Sequence, residues 1–137
     1  MTFNGVIIRK LEMLDSILAE IQAIGPVGVK KLQQDLVIRR AVERLLQIAI
    51  EIVVDVCQRI LSLRGETPAT SAAGAIERCV HLGIIRPSGV YRKMVGFRNV
   101  LVHDYAVIDL KIVSDVVTSG LQVFGDFRDD VILYAKD

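Results

Sequence analysis

Between Val42 and Leu63 the apolar residues Val42, Leu46, Ala49, Val53, Val56, Ile60 and Leu63 fall at alternating intervals of four and three. An α-helix turns about 100° per residue, so this spacing draws one unbroken stripe along a helix, a seam for a partner helix. Ile38, Ala41, Leu45, Ile48 and Ile52 make a second apolar row beside it. The polar band that remains is narrow: Arg40, Arg44, Gln47, Glu51, Asp55, Gln58 and Ser62. A helix this apolar around its circumference buries more than one face. One face belongs to the core of a small bundle. The second is expected to form a large apolar contact with another copy, in a two-fold symmetric dimer.

The rest of the chain also reads as helix. Ile7, Leu11, Leu14, Leu18 and Ile21 recur every three or four residues in a first segment over about 3–24, which Gly25-Pro26 ends. The seam helix is expected over about 28–64, stopping at Gly65, and a shorter one over about 69–82. Pro87-Ser88 opens a fourth, carrying Val90, Met94, Phe97, Val100 and Leu101. Asp109 caps a fifth that runs to about 134. Gly96, Gly120 and Gly125 sit inside these segments, each costing about 1 kcal/mol relative to Ala. With 52% hydrophobic but only 5% aromatic residues and no Trp, Leu, Ile, Val and Ala must fill the core, which favours helices over a β-sandwich. The expectation is an all-α, up-and-down bundle of about five helices in one domain over 1–137.

Several function classes recede at this point. Charges such as Glu51 and Asp55 interrupt the most apolar stretch, so no bilayer-crossing run is present. Met1-Thr2-Phe3-Asn4-Gly5 lacks a basic leader, so a cytoplasmic protein is expected. Cys57 and Cys79 lie on apolar helical faces with no CxxC, as reduced core thiols would. There is no phosphate-binding GxxxxGK[ST] loop, no dinucleotide fingerprint, no HExxH and no zinc-like spacing, so neither metal nor cofactor is expected. A net charge of +1 hides an asymmetry. Residues 1–103 hold 14 Lys/Arg against 9 Asp/Glu, and residues 104–137 hold 3 against 7. That permits RNA binding at a local patch without marking a general nucleic-acid surface.

The chemistry concentrates in Arg98-Asn99-Val100-Leu101-Val102-His103-Asp104-Tyr105, which sets a permanent cation, an imidazole that titrates near neutrality and a phenol within two turns. On a continuous helix Arg98 and His103 stand about 140° apart, whereas Asn99 and His103 share a face. Either the helix ends near His103, or the two side chains meet a substrate from different sides. RNA is cut without a metal when its 2′-hydroxyl attacks the adjacent phosphate. That reaction needs a base, an acid and positive charge on the developing phosphorane. Arg98 can hold two phosphate oxygens in its planar fork and His103 can move a proton. One histidine per site is short by one, and His81 has no matching surroundings. A two-fold axis joining two motifs would supply a second His103 and a second Arg98. From the residues alone, Arg98 as a surface ion-pair residue and His103 as a helix C-terminal cap account for the same positions.

The Arg-x4-His-x-Tyr spacing resembles the motif of the HEPN superfamily and looks most like its HepT branch, the ribonuclease toxins paired with a minimal nucleotidyltransferase antitoxin. The resemblance takes in Phe97-Arg98-Asn99 with Val102-His103, and the run Arg40-Ala41-Val42-Glu43-Arg44-Leu45-Leu46-Gln47 continuing through Ile50-Glu51 to Asp55. It implies a metal-independent endoribonuclease toxin of a type VII-like toxin–antitoxin system, with Arg98 and His103 catalytic across a dimer cleft and Asn99 and Asp104 in support. It also implies neutralisation by a nucleotidyltransferase antitoxin that transfers AMP to Tyr105. The implied partners are RNA, a second copy and the antitoxin, with no membrane and no cofactor.

Alternatives stay open for individual residues. Asn99 orients His103, contacts a phosphate or satisfies backbone near the helix end. Asp104 pairs with Arg98 or His103, or is an exposed loop carboxylate. Tyr105 is a modification site or a core tyrosine. Glu43, Glu51 and Asp55 read as solvated or cleft-lining salt bridges, Glu51 and Asp55 sharing the polar stripe with Arg40 and Arg44. Arg86, Arg92 and Lys93 track an RNA backbone or merely solvate a surface. Two other functions fit the same residues: a non-catalytic HEPN module that binds nucleotide or partners a nucleotidyltransferase, and a structural helical protein whose motif caps a helix.

Overall fold

The computed structural model describes residues 4–103 and 109–136, without the side chains of residues 102 and 103. Over these residues the chain forms six α-helices and no strand: α1 (Gly5–Ile24), α2 (Val29–Gln34), α3 (Leu36–Leu63), α4 (Ala72–His81), α5 (Val90–His103) and α6 (Leu110–Lys136). The all-α expectation holds, with one helix more than the sequence pattern implied.

The extra helix comes from Asp35. Residues 28–64 were expected as a single helix, but Asp35 takes an extended backbone (φ −118°, ψ 97°) and its carboxylate accepts a hydrogen bond from the Ile38 N–H at 3.1 Å. Capping the free N–H groups of α3 outweighs continuing the helix through Asp35, a poor interior residue and a good N-cap. The other ends follow local chemistry. Asn4 caps α1 through Val6, Ser71 caps α4 through Gly74, and Asp109 caps α6 through Lys111. Gly25, at φ 87°, closes α1 in a conformation that only glycine adopts freely.

α3 is the axis of the bundle, with each of the other helices packed against it. Val42, Leu46, Ala49, Val53 and Val56 are fully buried and Ile60 nearly so, while Leu63 is 49% exposed where the seam runs out of neighbours. Each full burial of a Val, Leu or Ile is worth about 1.5–3 kcal/mol, so this stripe carries much of the fold. Phe124 and Phe127 from α6, Met94 and Phe97 from α5, and Leu14 and Ile21 from α1 complete the core. Gly120 lets α5 approach α6: an added Cβ would sit 3.2 Å from Val116 Cγ1 and 3.6 Å from Met94 Cε. Close approach offsets the helix-propensity cost of this glycine.

Ion pairs and hydrogen bonds set the direction of the helices. Ser114 donates to the Val27 carbonyl and Arg64 donates to the Tyr134 hydroxyl, so α3 and α6 run in the same sense. Arg86 clasps Asp130 and Lys93 pairs with Asp115, so α5 runs against α6. α5 therefore descends α3 in the opposite sense, and its C-terminal end approaches the N-terminal half of α3.

Candidate active site

α5 is anchored by Met94, Val95 and Phe97, all buried, which leaves the neighbouring Arg98 at the protein surface. Arg98 reaches across to α3, where its Nε donates to Glu51 Oε1 at 2.7 Å. Its Nη1 lies 3.4 Å from Asn99 Oδ1, a weak contact. The Arg98 and Glu51 side chains are 28% and 35% exposed, so both face a solvent-accessible surface. His103 is the last described residue of α5. Asp104 and Tyr105 lie outside the described residues.

The acidic residues of α3 divide into separate roles. Asp55 pairs with Lys10 of α1 at 3.2 Å, and Glu51 with Arg98. Neither pairs with Arg40 or Arg44, which share the polar stripe. Instead Arg40 Nη1 lies 2.8 Å from Glu43 Oε1, and Arg44 donates to Gln47. Glu43 is the one charged residue buried among the described residues, at 4% exposure. Its second oxygen lies 3.6 Å from Arg39 Nε, an electrostatic contact too long for a hydrogen bond.

The basic residues ahead of the motif turn out to be structural in large part. Arg86 donates to both oxygens of Asp130 through its side chain and to Oδ2 through its backbone N–H. Burial raises the Asp130 pKa, but these hydrogen bonds outweigh it and hold the carboxyl below its usual range. Lys93 is engaged by Asp115, which leaves Arg92 the exposed cation of that stretch without an ion-pair partner among the described residues. His81 is exposed at the end of α4. Tyr91 is buried and Tyr134 is tied to Arg64, so neither stands free to stack on a base.

Cys57 and Cys79 are free and buried, with the Cys79 thiol 3.7 Å from the Cys57 carbonyl. A hydrogen bond with Cys79 and burial push the Cys57 thiol well up, away from nucleophilic chemistry. Among the described residues no group of three or more His, Cys, Asp or Glu side chains comes together as a metal site would require. No described helix is long and apolar enough to cross a membrane. A cavity of about 400 Å³ lies between α4 and the start of α5, lined by Ile76, Val80, Pro87, Tyr91 and Val95 among others. It lacks the convergent cations of the motif and stands at the other end of α5.

Arg98 thus lies at the surface against α3, five residues before His103 on the same helix. The model of the ribonuclease HepT-like family matches residues 13–131. The chain belongs to that family. Among its relatives is the mRNA nuclease HepT of Shewanella oneidensis, 29% identical over 128 residues, a match covering 92% of this chain and 96% of the relative. Among solved structures, the tri-AMPylated Shewanella oneidensis HEPN toxin in complex with MNT antitoxin superposes with a TM-score of 0.85 at 28% identity, over 96% of this chain and 99% of the other. A toxin–antitoxin crystal structure with AMP-PNP gives a TM-score of 0.80 at 27% identity, over 94% and 98%. The HEPN-like bundle expected from the motif is thus the fold of the chain.

Sequence reasoning named Arg98, Asn99 and His103 but missed the partner of Arg98. Glu51 was visible only as a member of a polar stripe. A contact between residues 47 apart leaves no periodic signal, because it depends on how α5 lies on α3.

Proposed function

We propose that this chain is the endoribonuclease toxin of a toxin–antitoxin pair, acting in the cytoplasm on RNA without a metal ion. The observation that carries the reading is the placement of Arg98 at the surface beside α3, five residues before His103 on the same helix. Arg98 binds oxygens of the scissile phosphate and stabilises the charge that develops on them. His103 takes the proton of the 2′-hydroxyl as its oxygen bonds to phosphorus. A second His103, from a two-fold related copy, gives a proton to the 5′-oxygen as the P–O5′ bond breaks. The products are a 2′,3′-cyclic phosphate and a 5′-hydroxyl. Asn99, one turn before His103 on the same face, and Asp104 support the histidine.

The surface of α3 supports the dimer that this chemistry needs. Its first apolar row is in the core from Val42 to Ile60, but of the second row only Ile52 is buried. Ile38, Leu45 and Ile48 are half-buried and Ala41 is exposed, with Leu36 and Val37 at 59% and 79% exposure just before them. This row lies along the half of α3 that the end of α5 approaches, so a copy bound there brings two motifs together. Mixed dimers with one His103→Ala subunit test the shared site. Cutting far below half the wild-type rate is expected, and half or more would refute it.

Neutralisation acts on the same motif. A nucleotidyltransferase antitoxin transfers AMP from ATP to the Tyr105 hydroxyl, with pyrophosphate leaving. Bulk and negative charge are thereby placed two residues from His103, where an RNA phosphate must approach. Growth arrest on expression is expected, relieved by the antitoxin and absent for Arg98→Ala and His103→Ala. Unchanged arrest in both variants would exclude the catalytic assignment. Intact mass after co-expression is expected to rise in units of AMP for the wild type and not for Tyr105→Phe, and no added mass in the wild type would remove the modification.

A further inference from the structure

We infer that Glu51 is a positioning residue for RNA cleavage: its carboxylate holds Nε of Arg98, so that the terminal amino groups of the guanidinium face the scissile phosphate. The inference rests on Arg98 being the phosphate ligand, as proposed above. A guanidinium binds two anionic oxygens through one planar edge at a time. The 2.7 Å contact with Glu51 Oε1 occupies the Nε position, Nη1 touches Asn99 Oδ1 only at 3.4 Å, and Nη2 has no hydrogen-bond partner among the described residues. The Nη1–Nη2 edge is therefore the one presented outward.

Glu51 can hold this orientation because its own position is firm. It lies between Ile50 and Ile52, both buried, on the helix around which the bundle is built. One turn further along the same stripe, Asp55 is tied to Lys10 of α1. Arg98 is a long, partly exposed side chain, and without an anchor it samples many rotamers. An ion pair with about a third of each side chain exposed adds little to folding. Its consequence is orientation, and activity and stability should therefore separate when it is removed. Glu51 also puts a negative charge near the bound phosphate, so its loss should leave substrate binding intact or tighter while the chemical step slows.

The test is cleavage of a defined RNA oligonucleotide by purified toxin, in multiple-turnover runs and in single-turnover runs at enzyme excess. The proteins compared are wild type, Glu51→Ala, Glu51→Gln, Arg98→Lys and the Glu51→Ala/Arg98→Lys double variant. For Glu51→Ala, kcat is expected to fall about tenfold, the scale of a slightly misplaced catalytic group, with KM equal or lower and Tm unchanged. Glu51→Gln accepts the same Nε hydrogen bond through its amide oxygen and is expected to recover most of the loss. In the Arg98→Lys background the Glu51→Ala change is expected to cost nothing further, since lysine has no Nε–H to hold. Glu51→Ala at the wild-type rate, or the same tenfold loss repeated on Arg98→Lys, overturns the positioning role alone. Wild-type cleavage by Arg98→Lys overturns the assignment of Arg98 to phosphate and the role of Glu51 with it.

Discussion

Glu43 and Glu51 stand about two turns apart on α3 and meet arginines in opposite ways. The Glu43 carboxylate is buried and lies against Arg39 and Arg40 of its own helix, at 3.6 and 2.8 Å. Glu51 is partly exposed and meets Arg98, which arrives from another helix 47 residues later. A buried carboxylate needs cations beside it wherever it occurs, and near neighbours in the chain supply them as the helix forms. A carboxylate at the surface has water and needs no partner for stability. When it nonetheless holds an arginine at 2.7 Å, the arginine's orientation is what the contact determines. The contrast separates charges that maintain the fold from charges proposed to serve the site.

The strongest challenge to that division lies in the motif. Arg98→Ala and His103→Ala are each expected to slow RNA cleavage about 10²–10⁴-fold while leaving the denaturation midpoint close to wild type. A large stability loss in either would move it to the structural side. Next in size is the Arg39→Ala/Arg40→Ala pair, which strands the Glu43 carboxylate. Urea unfolding should show a loss of about 3 kcal/mol, the low end for a broken buried pair because Arg40 is 64% exposed and water can follow it. Cleavage per folded molecule should stay at the wild-type rate. An unchanged midpoint would mean that Glu43 is not stabilised by these two cations.

Part of this division was legible beforehand and part was not. The four-three seam of α3, the glycine closing α1 and the aspartate opening α6 are local signals, and each emerged where the pattern put it. Asp35 carried a local signal too, but the apolar residues around it mimic a continuous helix, and the cap was overlooked. The motif residues were recognisable from their spacing. Their surroundings were not, because the Glu51–Arg98 and Arg86–Asp130 contacts join positions 47 and 44 apart, which only tertiary structure brings together. Arg86 in particular looked available for RNA and instead ties the start of α5 to α6.

That clamp gives the smallest expected effect. Arg86 holds the folded Asp130 carboxyl below the value it has when unfolded, so the stability it adds is present above about pH 4 and lost as pH falls through the lowered folded value. Thermal melts of wild type and Asp130→Asn should differ by a constant small gap at neutral pH, and that gap should close in acid. A gap unchanged down to strongly acidic pH would mean that another interaction of Asp130 is responsible. Cleavage at pH 7 should be the same for both proteins within about twofold, since Asp130 lies away from the proposed site.

The most direct measurement incubates the purified protein with total RNA in EDTA and compares wild type with Arg98→Ala and His103→Ala. End-group analysis is then applied to the fragments. Fragments ending in 2′,3′-cyclic phosphate from the wild type, and none above background from either variant, are the expected result. Intact RNA with wild-type protein in EDTA, or equal cutting by the variants, would contradict metal-free cleavage at this pair of residues.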